Sequence, residues 1–520
     1  MTTDAERRII DAVDAAQEVY EPPSDNDAGA RRLVPPPSSP MAVARDFAEA
    51  RYIDNDGLLL LRDHRGAFYA WNQLCWTEID RRDVRRDAYQ WLEHATYIHP
   101  KAGEVPFNPT RRKIDDVVDA LRAIVMLDSS AAAPCWTDGT TSPPANEVIS
   151  MENGLLHVPA RTLHPHTPHY FCHHALPFPF SAESAPPVLW LEFLHQLWDD
   201  ESSISTLQEA MGYILGGDTR HQKIFLFVGP KRGGKGTIGR VLTGLLGSHN
   251  VAAPTLAGLS TNFGLSPLIG KPLGLVSDAR LGGKSDSKIV VERLLSVSGE
   301  DSLTIDRKFK DPWTGRLSTR FVVMTNELPR LTDASGALAS RFIVFVLQNS
   351  FYGKENPGLT DELLTEAASI FNWALEGLDR LNHRGYFVTP QSGQEAIRQL
   401  EDLSSPISAF VRDRCIVGAD RQVEVDALWK AWKTWCEEEN RHPATKTGFG
   451  RDLKAAVPMV RRARPRTDAD RCYVYLGIGL RDSSAEDTAL VLGPPGPESH
   501  GPSGPRASPL QNHPTTYREY

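Results

Sequence analysis

The chain has 520 residues, 41% of them hydrophobic and 24% charged, with a formal net charge of −9. That length allows two to four domains with buried cores, and that charge excludes a protein coating nucleic acid with its whole surface. No run approaches the roughly eighteen consecutive apolar residues of a membrane helix, which excludes that kind of span.

Taken in chain order, Met1 to Ile10 carries charges where a signal peptide would need an apolar run, so export is not expected. Residues 1–41 end in Val34-Pro35-Pro36-Pro37-Ser38-Ser39-Pro40 and read as a flexible segment, with a short helix at Glu6 to Val19. In 42–187, strand-like runs at Leu58 to Leu61 and Ala67 to Trp71 alternate with helix-like runs at Val84 to His94 and Lys113 to Leu127, an α+β pattern. His164, His166, His169, Cys172, His173 and His174 crowd one stretch, but prolines break it and the spacing fits no zinc pattern; a loop joining strands is expected. The six cysteines are scattered with no C-x-x-C pair, so neither a disulfide framework nor a zinc ribbon follows, and a reducing cytoplasm is their expected home.

Helical periodicity dominates Val188 to Leu215. Strands are expected at Ile224 to Val228, Leu273 to Val276, Phe321 to Met324 and Phe342 to Val346, with helical segments between most of them. That alternation predicts an α/β fold over 188–385. Helices return from Thr360 to Leu381, and another helical domain runs from about Ile407 to Arg481, within a carboxyl-terminal domain assigned to 386–481. The tail 482–520, rich in Pro, Gly, Ser and His, is expected to be disordered.

The sharpest signal is Gly229-Pro230-Lys231-Arg232-Gly233-Gly234-Lys235-Gly236-Thr237. It follows the apolar run Ile224 to Val228 and precedes a helix with Ile238, Val241, Leu242 and Leu245 on one face. Glycines let successive N–H groups curl around an anion, the helix start adds positive partial charge, and Lys235 would reach the β- and γ-phosphates. Serine or threonine usually follows that lysine to hold Mg²⁺. Here Gly236 stands there, so Thr237 is the candidate hydroxyl.

A nucleotide hydrolase also needs a carboxylate at the end of a neighbouring strand, and Leu273 to Asp278 supplies a hydrophobic strand ending in an acid. The next strand ends in Asn326, which can orient the attacking water or touch the γ-phosphate. Arg341, just before another strand, can act in trans on a neighbouring subunit's nucleotide. Singly, Asp278 reads equally as a helix cap, Asn326 as a turn residue and Arg341 as a surface charge.

In their order and compact spacing, Gly229 to Thr237, the strand to Asp278, and Met324-Thr325-Asn326-Glu327-Leu328-Pro329 resemble motifs A, B and C of superfamily 3 helicases. The resemblance is closest to the phage/plasmid primase family related to the poxvirus primase-helicase. Asn153 to Val158, Leu163 to Pro168 and Leu207 to Tyr213 resemble that family's region before the motor, so the likeness spans about Ala42 to Arg481.

The resemblance implies a P-loop, AAA+-like helicase core with an α+β amino-terminal domain and a winged-helix-like carboxyl-terminal domain. It implies ATP and Mg²⁺ contacts at Lys235 and Thr237, Asp278 as the motif B acid, Asn326 as sensor and Arg341 as the finger of an adjoining copy, in a ring with six copies. Relatives often carry two acids in motif B, whereas Ser277 precedes Asp278 here, and no acidic primase cluster is visible, so a separate primase or polymerase partner is implied.

Superfamily 3 proteins carry a DNA-contacting hairpin between motifs B and C. In that place stands Leu303 to Arg316, a strand followed by a basic-aromatic cluster and then a Pro/Gly turn. Lys308 and Lys310 would meet phosphates of single-stranded or forked DNA, and Phe309 would stack on a base or sugar; the plain alternative is a solvated turn with a packed phenylalanine. Further on, Val425, Leu428, Trp429, Trp432, Trp435 and Cys436 form a stripe expected to be core. The arginines and lysines between Lys446 and Arg466, before a strand at Cys472 to Leu476, suggest the wing of a winged helix. Two other functions remain open: an origin-binding initiator ATPase without processive unwinding, and a small-molecule kinase.

Overall fold

A computed structural model gives the structure and describes residues 32–277, 279, 284–329, 331, 337–464 and 472–481. The predicted helix at Glu6 to Val19, the predicted acid Asp278 and the predicted tail 482–520 lie outside the described residues. The chain divides into two compact units, one of residues 1–410 with 444–458 and one of 411–443 with 459–520, so the predicted 386–481 span is shared between them.

The first unit begins with a three-stranded antiparallel sheet, Leu61–His64, Ala67–Trp71 and Trp76–Ile79. Its first turn is Arg65-Gly66, both at positive φ (50° and 77°), the twist that two-residue hairpins favour. The first strand starts at Leu61, later than the Leu58 to Leu61 run predicted. Helices Pro40–Tyr52, Arg81–Leu92 and Arg111–Ile124 bury Phe47, Tyr52, Trp91, Ile114 and Leu121 together. Asp80 caps the second of these, accepting from the Arg82 N–H.

Residues 32–39, expected to be flexible, are laid down instead. Val34 is buried and its N–H donates to the Thr96 carbonyl, the Thr96 N–H donates to the Arg32 carbonyl (2.8 Å each), and the Arg32 guanidinium lies 5.2 Å from the centre of the Trp91 ring. The apolar side chain and the cation–π contact outweigh the local flexibility signal.

The predicted helical run before the central sheet is two helices, Val188–Leu197 and Glu201–Leu215. The break falls where Asp200 accepts from the Ser202 N–H and starts the second helix. Glu201–Leu215 is buried on nearly every side against Ala367–Arg384. The helices meet through reciprocal glycines: a Cβ on Gly212 would lie 2.2 Å from the Ala374 carbonyl oxygen, and one on Gly377 would lie 2.5 Å from the Gln208 main chain.

Glu209, buried at this crossing, is ion-paired to Arg380 (2.8 Å) and to Arg384. Replacing both arginines by alanine strands a buried carboxylate, and urea denaturation is expected to show a loss of about 3–5 kcal/mol. A loss under about 1 kcal/mol would mean that water reaches Glu209.

The central sheet is parallel, in the order Val251–Ala252, Leu273–Val276, Arg320–Thr325, Ile224–Val228, Phe342–Val346. The three strands Arg320–Thr325, Ile224–Val228 and Phe342–Val346 are covered on both faces, which is why they read as unbroken apolar runs. Alternate residues serve opposite cores: Phe225, Phe227, Met324 and Phe345 face the helices Lys235–Leu246 and Ala367–Arg384, while Leu226, Val323 and Val344 face the helix Lys284–Ser298. From Ile224–Val228 the chain crosses to the far edge, works back to its near side, and finally adds Phe342–Val346 on the other side. The glycine-loop strand is therefore the point where the winding changes direction, and in open parallel sheets ligands lie in the crevice at the carboxyl ends there.

In the second unit Cys415–Glu424 pairs antiparallel with Val474–Leu480, which also pairs with Arg461–Ala463. The sequence led us to expect helix over Cys415–Glu424; ladder bonds to Val474–Leu480, remote in sequence, decide for strand. The helix Val425–Glu438 buries Val425, Leu428, Trp432, Trp435 and Cys436, while Trp429 is half-buried, so the aromatic stripe is core as expected.

Candidate functional site

The register of the central sheet ends Val228 beside Thr325, so Gly229 and Asn326 leave the sheet side by side. The Gly229 N–H donates to the Thr325 carbonyl at 3.3 Å. The turn then enters the helix Lys235–Leu246 through Gly234, whose φ of 89° is left-handed and where a Cβ would lie 2.6 Å from Leu197. Glycine answers both demands. Arg232, at φ 59°, takes the same left-handed region without that freedom.

Lys235 folds back over the turn. Its Nζ donates to the carbonyls of Gly229 (2.6 Å) and Pro230 (2.7 Å) and reaches Asn326 Oδ1 at 3.3 Å. Partial burial pulls its pKa below the usual lysine value. Two residues 91 positions apart in sequence, picked out separately as the phosphate lysine and the sensor amide, thus meet at one point.

The turn floors a cavity of about 860 Å³. Lys231, Arg232, Lys235, Arg240 and Lys354 supply positive charge around it. Its lining acid is Glu355, 3.4 Å from the Arg232 guanidinium. Phe193, Phe351 and Leu359 add apolar surface to its lining. The loop after Phe342–Val346 straps the turn in place: Phe351 N–H donates to Arg232 O (3.0 Å) and Ser350 Oγ to Lys231 O (2.9 Å). A lining that combines basic groups with apolar side chains suits a polyanion carrying a flat ring.

Thr237, the candidate metal hydroxyl, is buried in the first turn of the helix and lines the cavity. Its Oγ1 accepts from Arg240 at 3.2 Å. Arg341 lies at the start of Phe342–Val346, beside Lys223 and at the opposite end of the sheet from Gly229, and donates to Ser298 Oγ at 3.0 Å. A five-residue strand spans roughly 16 Å, so the fold does not bring Arg341 to the Lys235 of its own chain.

Leu303–Arg307 and Lys310–Gly315 form a hairpin. The predicted Pro/Gly turn is its return strand, because Trp313 is buried and holds Pro312 to Gly315 in register; the tip is Lys308-Phe309. Phe309 is 95% exposed at φ 60°, with Lys308 Nζ 5.2 Å from its ring centre. Lys310 is ion-paired to Glu78, Arg307 lies 4.0 Å from the same carboxylate, and the Arg65 guanidinium sits 5.5 Å from the Trp313 ring centre. The amino-terminal sheet therefore holds the hairpin as far as the Arg307–Lys310 pair and leaves Lys308 and Phe309 at the tip exposed.

Among the described residues no group of three or more His, Cys, Asp or Glu is placed to hold a metal ion. His173 of the histidine-rich stretch instead stacks on Tyr69, ring centres 4.9 Å apart. Sequence reasoning missed Arg240, Phe351 and Glu78. Helical spacing from Gly236 carried a signal for Arg240, and nothing local marked the other two.

Three family models match the chain: D5 N terminal like over 48–199, a family of unknown function (DUF5906) over 227–341, and poxvirus D5 protein-like over 404–480. Among solved structures it is similar to the A form apo structure of the NrS-1 C terminal region, at 13% identity and a TM-score of 0.43 over 81% of this chain and 96% of that one. An apo structure of the same region gives 13%, 0.45 and the same coverage. Fold and site define a mixed α/β protein with a glycine-rich turn at the switch point of a parallel sheet. The D5 N terminal like and poxvirus D5 protein-like matches, on either side of the central sheet in sequence, support a phage/plasmid primase-helicase family for this chain. Its primase-helicase-like domains connect it with DNA replication, and no helix among the described residues is long and apolar enough to cross a membrane.

Proposed function

We propose that this protein is an ATP-dependent DNA helicase of superfamily 3, acting in phage or plasmid replication as a ring of identical subunits, with six as the expected number. The observation that carries the reading is the meeting of Lys235 and Asn326 at the switch-point crevice, above a cavity rimmed by cations. Lys235 holds the terminal phosphates, turn N–H groups cradle them, and Asn326 orients the attacking water. The position of Arg341, remote from its own chain's turn, fits a role completing the next subunit's site.

Mg²⁺ would neutralise charge developing on the phosphates, with Thr237 and Asp278 as its candidate ligands. Of the two, only Thr237 is among the described residues, and its oxygen already accepts from a guanidinium, so the described residues fit the phosphates better than the metal.

DNA is assigned to the hairpin tip, where Lys308 meets phosphate and Phe309 stacks. Glu78 competes with DNA for Lys310. Glu78→Gln is expected to tighten single-stranded DNA binding about 2–5-fold in a low-salt anisotropy titration, the scale of one exposed ion pair. Unchanged or weaker binding would remove Lys310 from the interface.

The test of the whole reading is ATP turnover with and without DNA, together with strand displacement on a forked duplex. The helicase requires DNA-stimulated turnover and displacement. Stimulation by an origin duplex without displacement would point to an initiator, and turnover indifferent to DNA would point to a small-molecule kinase.

A further inference from the structure

Gly236 and Arg240 lie four residues apart on the helix that follows the glycine turn, and so share one face of it. Gly236 is exposed and bare. A Cβ built on it would stand 3.3 Å from Arg240 Nη1, so the absent side chain leaves room for the guanidinium to lie over the first helical turn. There Arg240 donates from Nη2 to Thr237 Oγ1 (3.2 Å) and from Nε to Thr360 Oγ1 (2.9 Å).

Both partners are neutral hydroxyls, and among the described residues no carboxylate forms an ion pair with Arg240. The acid lining the cavity, Glu355, is already beside Arg232. A guanidinium fixed by two hydroxyls in a cavity of about 860 Å³ presents its remaining N–H groups in a fork that matches the oxygens of one phosphate.

The two cations of this helix have different partners. Lys235 bonds Asn326 at the carboxyl end of the sheet, where the terminal phosphate belongs, while Arg240 bonds Thr360, next in sequence to Leu359, one of the apolar residues lining the cavity and suited to the base. The guanidinium also bears on Thr237, because a divalent cation on the same oxygen would share it with a guanidinium nitrogen 3.2 Å from that oxygen.

We infer that Arg240, with the hydroxyl of Thr237, binds the phosphate chain of the nucleotide on its nucleoside side. This rests on the reading of the cavity as a nucleotide site. The phosphate nearest the nucleoside is common to di- and triphosphates, so Arg240 grips ATP and ADP alike, whereas Lys235 serves the terminal phosphates.

The test is a fluorescence titration of the full chain and of Arg240→Ala and Arg240→Lys with ribose-labelled ADP and a ribose-labelled non-hydrolysable ATP analogue. Arg240→Ala is expected to weaken both ligands by a similar factor, about 10–100-fold, the scale of charge-assisted hydrogen bonds. Arg240→Lys should recover only part of that, since an ammonium lacks the fork. Arg240 is exposed, so the thermal midpoint of the variants should match that of the parent, separating lost binding from lost fold. Equal binding by Arg240→Ala and parent, or a loss confined to the triphosphate analogue, would overturn the assignment alone. A parent chain that binds neither ligand would overturn both the assignment and the nucleotide reading beneath it.

Discussion

Lys235→Ala is expected to abolish ATP turnover and strand displacement together, with turnover falling by about 10²–10³-fold, as when one preorganised donor to a developing charge is removed. The ammonium lies at the convergence of Gly229 O, Pro230 O and Asn326 Oδ1, and no other cation is hydrogen-bonded at that point among the described residues. A triphosphate entering the crevice would exchange those neutral acceptors for charged ones. Burial lowers the lysine's pKa, and an anion beside it would favour the charged form. The Gly229 and Pro230 carbonyls released by the substitution can turn to water, so the fold should persist, as circular dichroism would show. Turnover within about threefold of the parent would mean that the phosphates lie elsewhere.

The second large effect is expected at the hairpin tip. Phe309 holds a left-handed backbone with its ring 95% exposed, an arrangement that costs about 1–2 kcal/mol and buries nothing within the chain. Phe309→Gly removes the ring and relieves the backbone, so stability should hold or rise while stacking, worth about 1–3 kcal/mol per base, disappears. Combined with Lys308→Ala, single-stranded DNA affinity should fall by roughly 10–100-fold. The salt dependence of binding should become shallower, and strand displacement should be lost while DNA-independent ATP turnover continues. Displacement at the parental rate would leave the hairpin as a structural clasp only.

Much of the centre of this molecule was legible in one dimension. The run Ile224 to Val228, the glycine turn and the helix behind it are set by short-range chemistry: apolar residues fit a strand covered on both faces, and glycines fit a backbone that must curl. The caps at Asp80 and Asp200 were not picked out in the sequence, and the second of them divides the run Val188 to Leu215 into two helices. Where propensity and packing disagreed, packing won. Pro312 and Gly315 suggest a turn, yet Trp313 between them is buried and the tip forms at Lys308-Phe309. Cys415–Glu424 lacks a clear alternation and is a strand because Val474–Leu480 lies against it.

The sequence by itself therefore determined the strand, the glycine turn, the helix and the kinds of side chain offered to a ligand, because those depend on residues within a few positions of one another. Only the tertiary structure decided which of them meet. Lys235 and Asn326 are 91 residues apart, Arg240 and Thr360 are 120, and Lys310 and Glu78 are 232. Such pairs are set by the order and register of strands in the sheet and by the packing of helices and hairpin around it, quantities that no local pattern of residues encodes.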